Sequence, residues 1–221
     1  MYKNLKLLQP TEHSFYRYTA PQEFFFAKDL NLIPITYSES KFLCCKHPIV
    51  IIEQNGQASL MLLAGSDKNN LVDESGKWRA EYIPAFLRRY PFTLVKRDEN
   101  SETLNIGFDF DSGCFGSPEG SPLFGGDGEA TQTLTDIKTL LEAYQQENQL
   151  TQNILALFKE RDLFSPAKTV LKNSDGEDQL IDGFLMVDKE KLLGQDDAFL
   201  LQTIKNGWME LIELHLFSIK R

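Results

Sequence analysis

The chain has 221 residues, and 23 Lys+Arg against 32 Asp+Glu leave a formal charge of −9 and a pI near 4.9. That balance excludes generic nucleic-acid binding, which needs clustered cations to displace counterions from phosphates, and it disfavours an electrostatic hold on anionic lipid. With 42% hydrophobic residues and 16 Phe, 7 Tyr and 2 Trp, a disordered chain is excluded too, because so many rings stay dry only in a packed core.

Residues 1–32 open the chain with Phe15, Tyr16, Tyr18, Phe24, Phe25 and Phe26 inside twelve positions. Exposing that much ring surface is costly, so this stretch is expected to be an irregular arm lying over its own domain or over a partner copy. Met1–Pro10 lacks a continuous apolar core and a small-residue cleavage site, and no apolar run approaches the roughly 20 residues of a spanning helix. A cytoplasmic location without membrane insertion follows as the expectation. Three cysteines, Cys44, Cys45 and Cys114, suit reduced, buried thiols better than a disulfide framework.

Strand signals begin at Leu32–Tyr37 and are followed by a short helix at Ser38–Cys45, with Ser38 as its cap. His47–Gln54 and Gln57–Leu63 form a hairpin about Asn55-Gly56, the strongest short turn signal in the chain. In Trp78–Phe92, Pro84 can start a helix and Pro91 must end it. A second hairpin pairs Phe92–Arg97 with Glu102–Phe108 across Asp98–Ser101. Asp109–Gly128 then carries six glycines in twenty residues and reads, with its margin to residue 130, as a long structureless connection. Thr131–Arg161 is the clearest helical stretch, with Leu134, Ile137, Leu141 and Tyr144 on one face. Its polar centre, Gln145–Gln149, leaves two helices or one with an exposed middle. Residues 165–221 read as a compact unit: a hairpin of Ala167–Lys172 and Gln179–Val187 about Ser174-Asp175-Gly176, helices capped by Asp188 and Asp196, and Met209–Ile219 as strand or helix. The whole is a single α+β domain over 1–221, with a largely antiparallel sheet built from hairpins and packed on the long helix.

Five segments in order carry a family likeness: His47-Pro-Ile-Val, the dense Trp78–Phe92 run, Leu123–Thr131, Gly183–Asp188 and Leu211–Ser218. Together they resemble the SapC-like proteins of bacteria from about residue 20 to the end. The resemblance implies a bacterial accessory protein, linked to surface-layer or outer-membrane uptake systems, and brings no catalytic residue set. Cys44-Cys45-Lys46 departs from the small or neutral residues expected there, and Gly126 falls in a variable acidic slot.

The best candidate site is the glycine-rich acidic segment with the arginines before it: Gly125, Gly126, Asp127 and Glu129 with Arg79, Arg88 and Arg89. Backbone N–H groups at the start of the long helix can attract a small anion or a carboxylate, although Asp127 and Glu129 already place negative charge there. The arginines can pair with those acids or reach a ligand carboxylate. Adjacent Arg88 and Arg89 point to different sides of a helix. No Lys-Ser/Thr follows the glycines, which excludes a Walker site. Asp109 and Asp111 have the spacing that opens some calcium loops, but the twelfth position is Gly120 and not a bidentate Glu. Cys114 with His47 or His215 could act as a nucleophile pair only if the fold joined them. No spacing calls for a cofactor or a metal. The leading expectation is a non-catalytic binding protein for a protein or small molecule, open to homo-oligomers. The alternative is an enzyme, hydrolytic or auxiliary to oxidative modification, using acids of the 109–129 segment.

Overall fold

The computed structural model describes residues 1–96, 104–173 and 176–219, and these form an α+β fold of antiparallel sheets around one long helix. In chain order the elements are β1 (Leu5–Leu7), α1 (Pro10–His13), β2 (Arg17–Tyr18), β3 (Leu32–Pro34), α2 (Ser40–Leu43), β4 (Ile49–Gln54) and β5 (Gln57–Leu63). Next come α3 (Ala85–Arg88), β6 (Phe92–Lys96), β7 (Leu104–Asp109), β8 (Ser121–Pro122) and α4 (Gln132–Glu160). The chain ends with β9 (Phe164–Lys172), β10 (Asp178–Val187), α5 (Lys189–Leu193), α6 (Asp197–Lys205) and α7 (Trp208–Ile219).

Five strands in the order β3-β5-β4-β10-β9 make the main sheet, β1-β7-β6 a smaller one, and β2-β8 a ribbon. Asn55 and Gly56 take φ of 52° and 80°, the left-handed pair that a two-residue hairpin turn requires between β4 and β5. The C-terminal hairpin is not self-contained, since β10 pairs with β4 at Leu185 and Ile51. Gly183, at φ 81°, sits where the β9–β10 register shifts, between Ile181 and Phe184. The turns expected at Asp98–Ser101 and at Ser174-Asp175 lie outside the described residues.

Helix α4 is one helix of 29 residues, not two, and its middle is the exposed one. Thr131 caps it, accepting from the Leu134 N–H. Leu134, Ile137 and Leu141 pack on Phe92, Phe108, Leu123 and Phe124 beside the small sheet. More than three turns further on, Ile154, Leu155 and Phe158 join Ile49, Ile51, Leu60 and Leu62 of the main sheet. Full burial of one such side chain contributes about 1.5–3 kcal/mol, so α4 is held at both ends by packing. Met209–Ile219, ambiguous in sequence, is helical: α7 buries Leu211, Ile212, His215 and Leu216 on the same face of the sheet as α4.

The N-terminal stretch is more regular than an irregular arm. Its strand β1 pairs with β7, and β2 pairs with β8, so it is built into its own domain. Tyr16 and Tyr18 pack against the Phe92–Phe108 cluster, whereas Phe15 remains 93% exposed. The short helix near residue 40 starts earlier than Ser38: a 3₁₀ turn, Tyr37–Glu39, precedes α2, with Thr36 at its cap.

Candidate functional site

The segment 109–130 is shaped rather than structureless. A 3₁₀ turn, Phe110–Ser112, leads into Gly113, whose φ of 75° turns the chain back. The Thr19 N–H then donates to the Cys114 carbonyl at 2.9 Å, and β8 joins β2. Leu123 and Phe124 are buried, pinning the segment before α4. Its front half walls a cleft of about 600 Å³, opposite the N-terminal residues 19–29. Lys3, Glu23, Phe25, Phe26, Asp29, Tyr90, Asp111 and Cys114 are among the lining residues.

Asp109 anchors this cleft from beneath. Its buried carboxylate accepts from the Lys3 and Asn4 N–H groups at 3.1 and 2.9 Å and from the Tyr90 hydroxyl at 2.9 Å. Burial pushes the carboxyl pKa up, but these donors together outweigh it and hold the group below the usual range. Tyr90 in turn stacks on Phe26, with centroids 4.0 Å apart. Burial and the Asp109 carboxylate raise the Tyr90 hydroxyl, which therefore stays a donor. One carboxylate thus ties the chain start, the cleft wall and the 3₁₀ turn together.

That role conflicts with the calcium reading of Asp109 and Asp111. Asp109 is turned to protein donors, Asp111 is exposed on the cleft, and Gly120 is buried beside Arg17 and Tyr18. Among the described residues no group of three His, Cys, Asp or Glu side chains could hold a metal ion. Calcium at about millimolar concentration is expected to leave the melting temperature unchanged; a clear upward shift in a thermal melt would reinstate the site.

The second half of the segment lines a separate groove of about 510 Å³, made by Phe15, Arg17, Pro122, Phe124 and residues 125–128. Asp127 lines this groove and Glu129 follows just outside its lining, both exposed, and the Asp127 carboxylate accepts from the Glu129 N–H at 3.0 Å in a local turn. Among the described residues no ion pair joins either acid to Arg79, Arg88 or Arg89. Arg79 faces Asp73 at 3.7 Å across another cleft. Arg88 donates to the Ile83 carbonyl and the Tyr82 hydroxyl. Arg89 lies between the Phe86 and Tyr144 rings, 4.7 Å from each centroid, and donates to Thr93. The pairing of acids with arginines is therefore corrected: Arg79 serves the Asp73 loop, Arg88 and Arg89 brace α3 and its contact with α4, and the cation that lines the groove with the glycines, among the described residues, is Arg17.

The thiols separate in the same way. Cys114 is buried and its Sγ donates to the Ser112 carbonyl; burial raises its pKa against the lowering influence of the Ser112 side chain, so it stays a thiol. His215 lies in the core of the main sheet, donating to the Ile49 carbonyl and accepting from the Val187 N–H. No Cys–His pair is assembled from these two. Cys44 is buried as expected, but Cys45 is exposed, because it follows the end of α2 on the outer side of the turn.

Sequence reasoning missed Glu39, Tyr90 and Arg17. Thr36-Tyr-Ser-Glu39 has the capping-box spacing, and that signal could have found the first of them. Nothing local marks Tyr90 or Arg17, whose partners lie 19 and 103 positions away.

A family model described as SapC matches residues 8–221, nearly the whole chain. No curated protein and no solved structure matches it.

Proposed function

The chain belongs to the SapC family, and from that premise we propose that it is a bacterial accessory protein that binds a small ligand without transforming it. The cleft between residues 19–29 and Asp111–Cys114 is its binding site. One observation carries the reading: the glycine-rich segment is folded over a hollow of about 600 Å³, within the size range of small-molecule pockets. Its lining mixes Phe25 and Phe26 with Glu23, Asp29 and Lys3, which suits an organic molecule with an apolar body and a polar or charged end. The nearby thiol and phenol are both held protonated, which suits recognition better than nucleophilic chemistry. A cytoplasmic site of action, in the service of surface-layer or uptake systems, belongs to the same proposal.

The test fills the cleft. Ala20 is exposed on its wall, so Ala20→Trp adds bulk without disturbing the core. Ligands found by ligand-observed NMR against a panel of small organic acids and amines should lose binding in Ala20→Trp, with an unchanged melting temperature. Ligands that bind the variant as well as the parent would place recognition elsewhere.

A further inference from the structure

We infer that Cys44 and Cys45 form a thiol–disulfide exchange pair, in which Cys45 reacts first with a low-molecular-weight disulfide and Cys44 then closes a bond onto it. The two sulfurs lie 3.9 Å apart at the end of α2. Their surroundings are unlike. Cys44 is 2% exposed within the main core, its N–H held by the Ser40 carbonyl, while Cys45 faces solvent. The turn is fixed, since both Lys46 and His47 donate their N–H groups to the Leu43 carbonyl. An external reagent therefore meets Cys45, and the sulfur already in contact with Cys45 is that of Cys44. The third thiol, Cys114, is buried against the other cleft and is not needed.

The exchange balances in two steps. The Cys45 thiolate attacks one sulfur of the small disulfide, forming a mixed disulfide and expelling one small thiolate. The Cys44 thiolate then attacks the Cys45 sulfur, forming the Cys44–Cys45 bond and expelling the second. The protein loses two electrons and two protons, and the small disulfide is reduced to two thiols. Adjacent Cα atoms are about 3.8 Å apart, shorter than the roughly 4.4–6.8 Å that disulfides normally span. The product is consequently strained and easily reduced, which makes it a reversible modification and not a structural staple.

The full-length protein incubated with oxidised glutathione and examined by intact-mass spectrometry tests this. The parent should become lighter by two hydrogens as a monomer, and dithiothreitol should restore it. Cys44→Ala should stop at one glutathione adduct on Cys45, Cys45→Ser should stay unmodified, and Cys114→Ser should behave as the parent. A lasting adduct on the parent, a dimer bridged through Cys45, or loss of the reaction in Cys114→Ser would each overturn the proposal. If Cys44→Ala does not fold, non-reducing peptide mapping of the parent decides the same question, through the presence or absence of a Cys44–Cys45 bond.

Discussion

Acidification from about pH 6.5 to about pH 4 is expected to remove roughly 3 kcal/mol of stability through His215 alone. The ring sits on α7 at 1% exposure, walled by Ile51, Leu60, Leu155, Phe158, Val187, Leu211 and Ile212. Among the described residues, none of these wall side chains carries a charge to support an imidazolium. Nε2 accepts from the Val187 N–H, so the neutral ring carries its proton on Nδ1 and donates it to the Ile49 carbonyl at 2.8 Å. Burial drives the pKa down to about 4, against the raising influence of that carbonyl. The sign follows directly. Between the two pKa values the unfolded chain binds the proton and the folded chain does not, so stability falls as pH falls through that window. Below the folded value no further loss comes from this group. Carboxylates with lowered pKa, such as Asp109 and Asp188, act at lower pH, below the usual carboxylate range. Urea unfolding across this window should show the slope in the parent and a flatter line in His215→Gln. Equal slopes in the two proteins would refute the assignment.

His215 also marks how far the sequence could be read. The hairpin at Asn55-Gly56 and the limits of α4 were legible, because each rests on local chemistry: a left-handed turn pair, and a Thr cap ahead of a 3.6-residue stripe. The caps Asp188 and Asp196 were legible for the same reason: each side chain accepts from N–H groups two or three residues on. What failed was long-range. Arg79, Arg88 and Arg89 match Asp127 and Glu129 in charge logic, but the fold turns Arg79 toward Asp73, Arg88 toward Tyr82, and Arg89 toward Phe86 and Thr93. The glycines were read as slack, yet Leu123 and Phe124 bury themselves and draw the segment onto the small sheet. Phe15 escapes the argument from ring burial because it stands at the rim of a groove. Such outcomes depend on which surfaces meet, and spacing along the chain does not encode that.

The other large effect concerns a residue that carries no surface signal. Glu39→Ala is expected to destabilise the protein by about 4 kcal/mol, and Glu39→Gln by about half as much. The carboxylate is 3% exposed and accepts four hydrogen bonds. One oxygen takes the Thr36 N–H at 2.8 Å and its hydroxyl at 3.1 Å. The other takes the Ala85 N–H at 2.7 Å and the Tyr82 hydroxyl at 2.9 Å. Removing the side chain strands the two backbone donors away from water, each worth about 1–3 kcal/mol, and opens a hole between α2 and α3. Glutamine keeps one oxygen but turns an NH₂ toward two donors, so half the constellation is lost. The damage should spread along the chain in a stated direction. Glu39 fixes the start of α3, α3 leads directly to Tyr90, and Tyr90 forms the wall of the cleft with Phe26. Amide exchange in Glu39→Gln should therefore accelerate at Ala85 and Tyr90 while the β4–β5 hairpin keeps its protection. A loss below about 1 kcal/mol in Glu39→Ala, or exchange that rises evenly across both regions, would mean that this carboxylate does not hold the cleft wall in place.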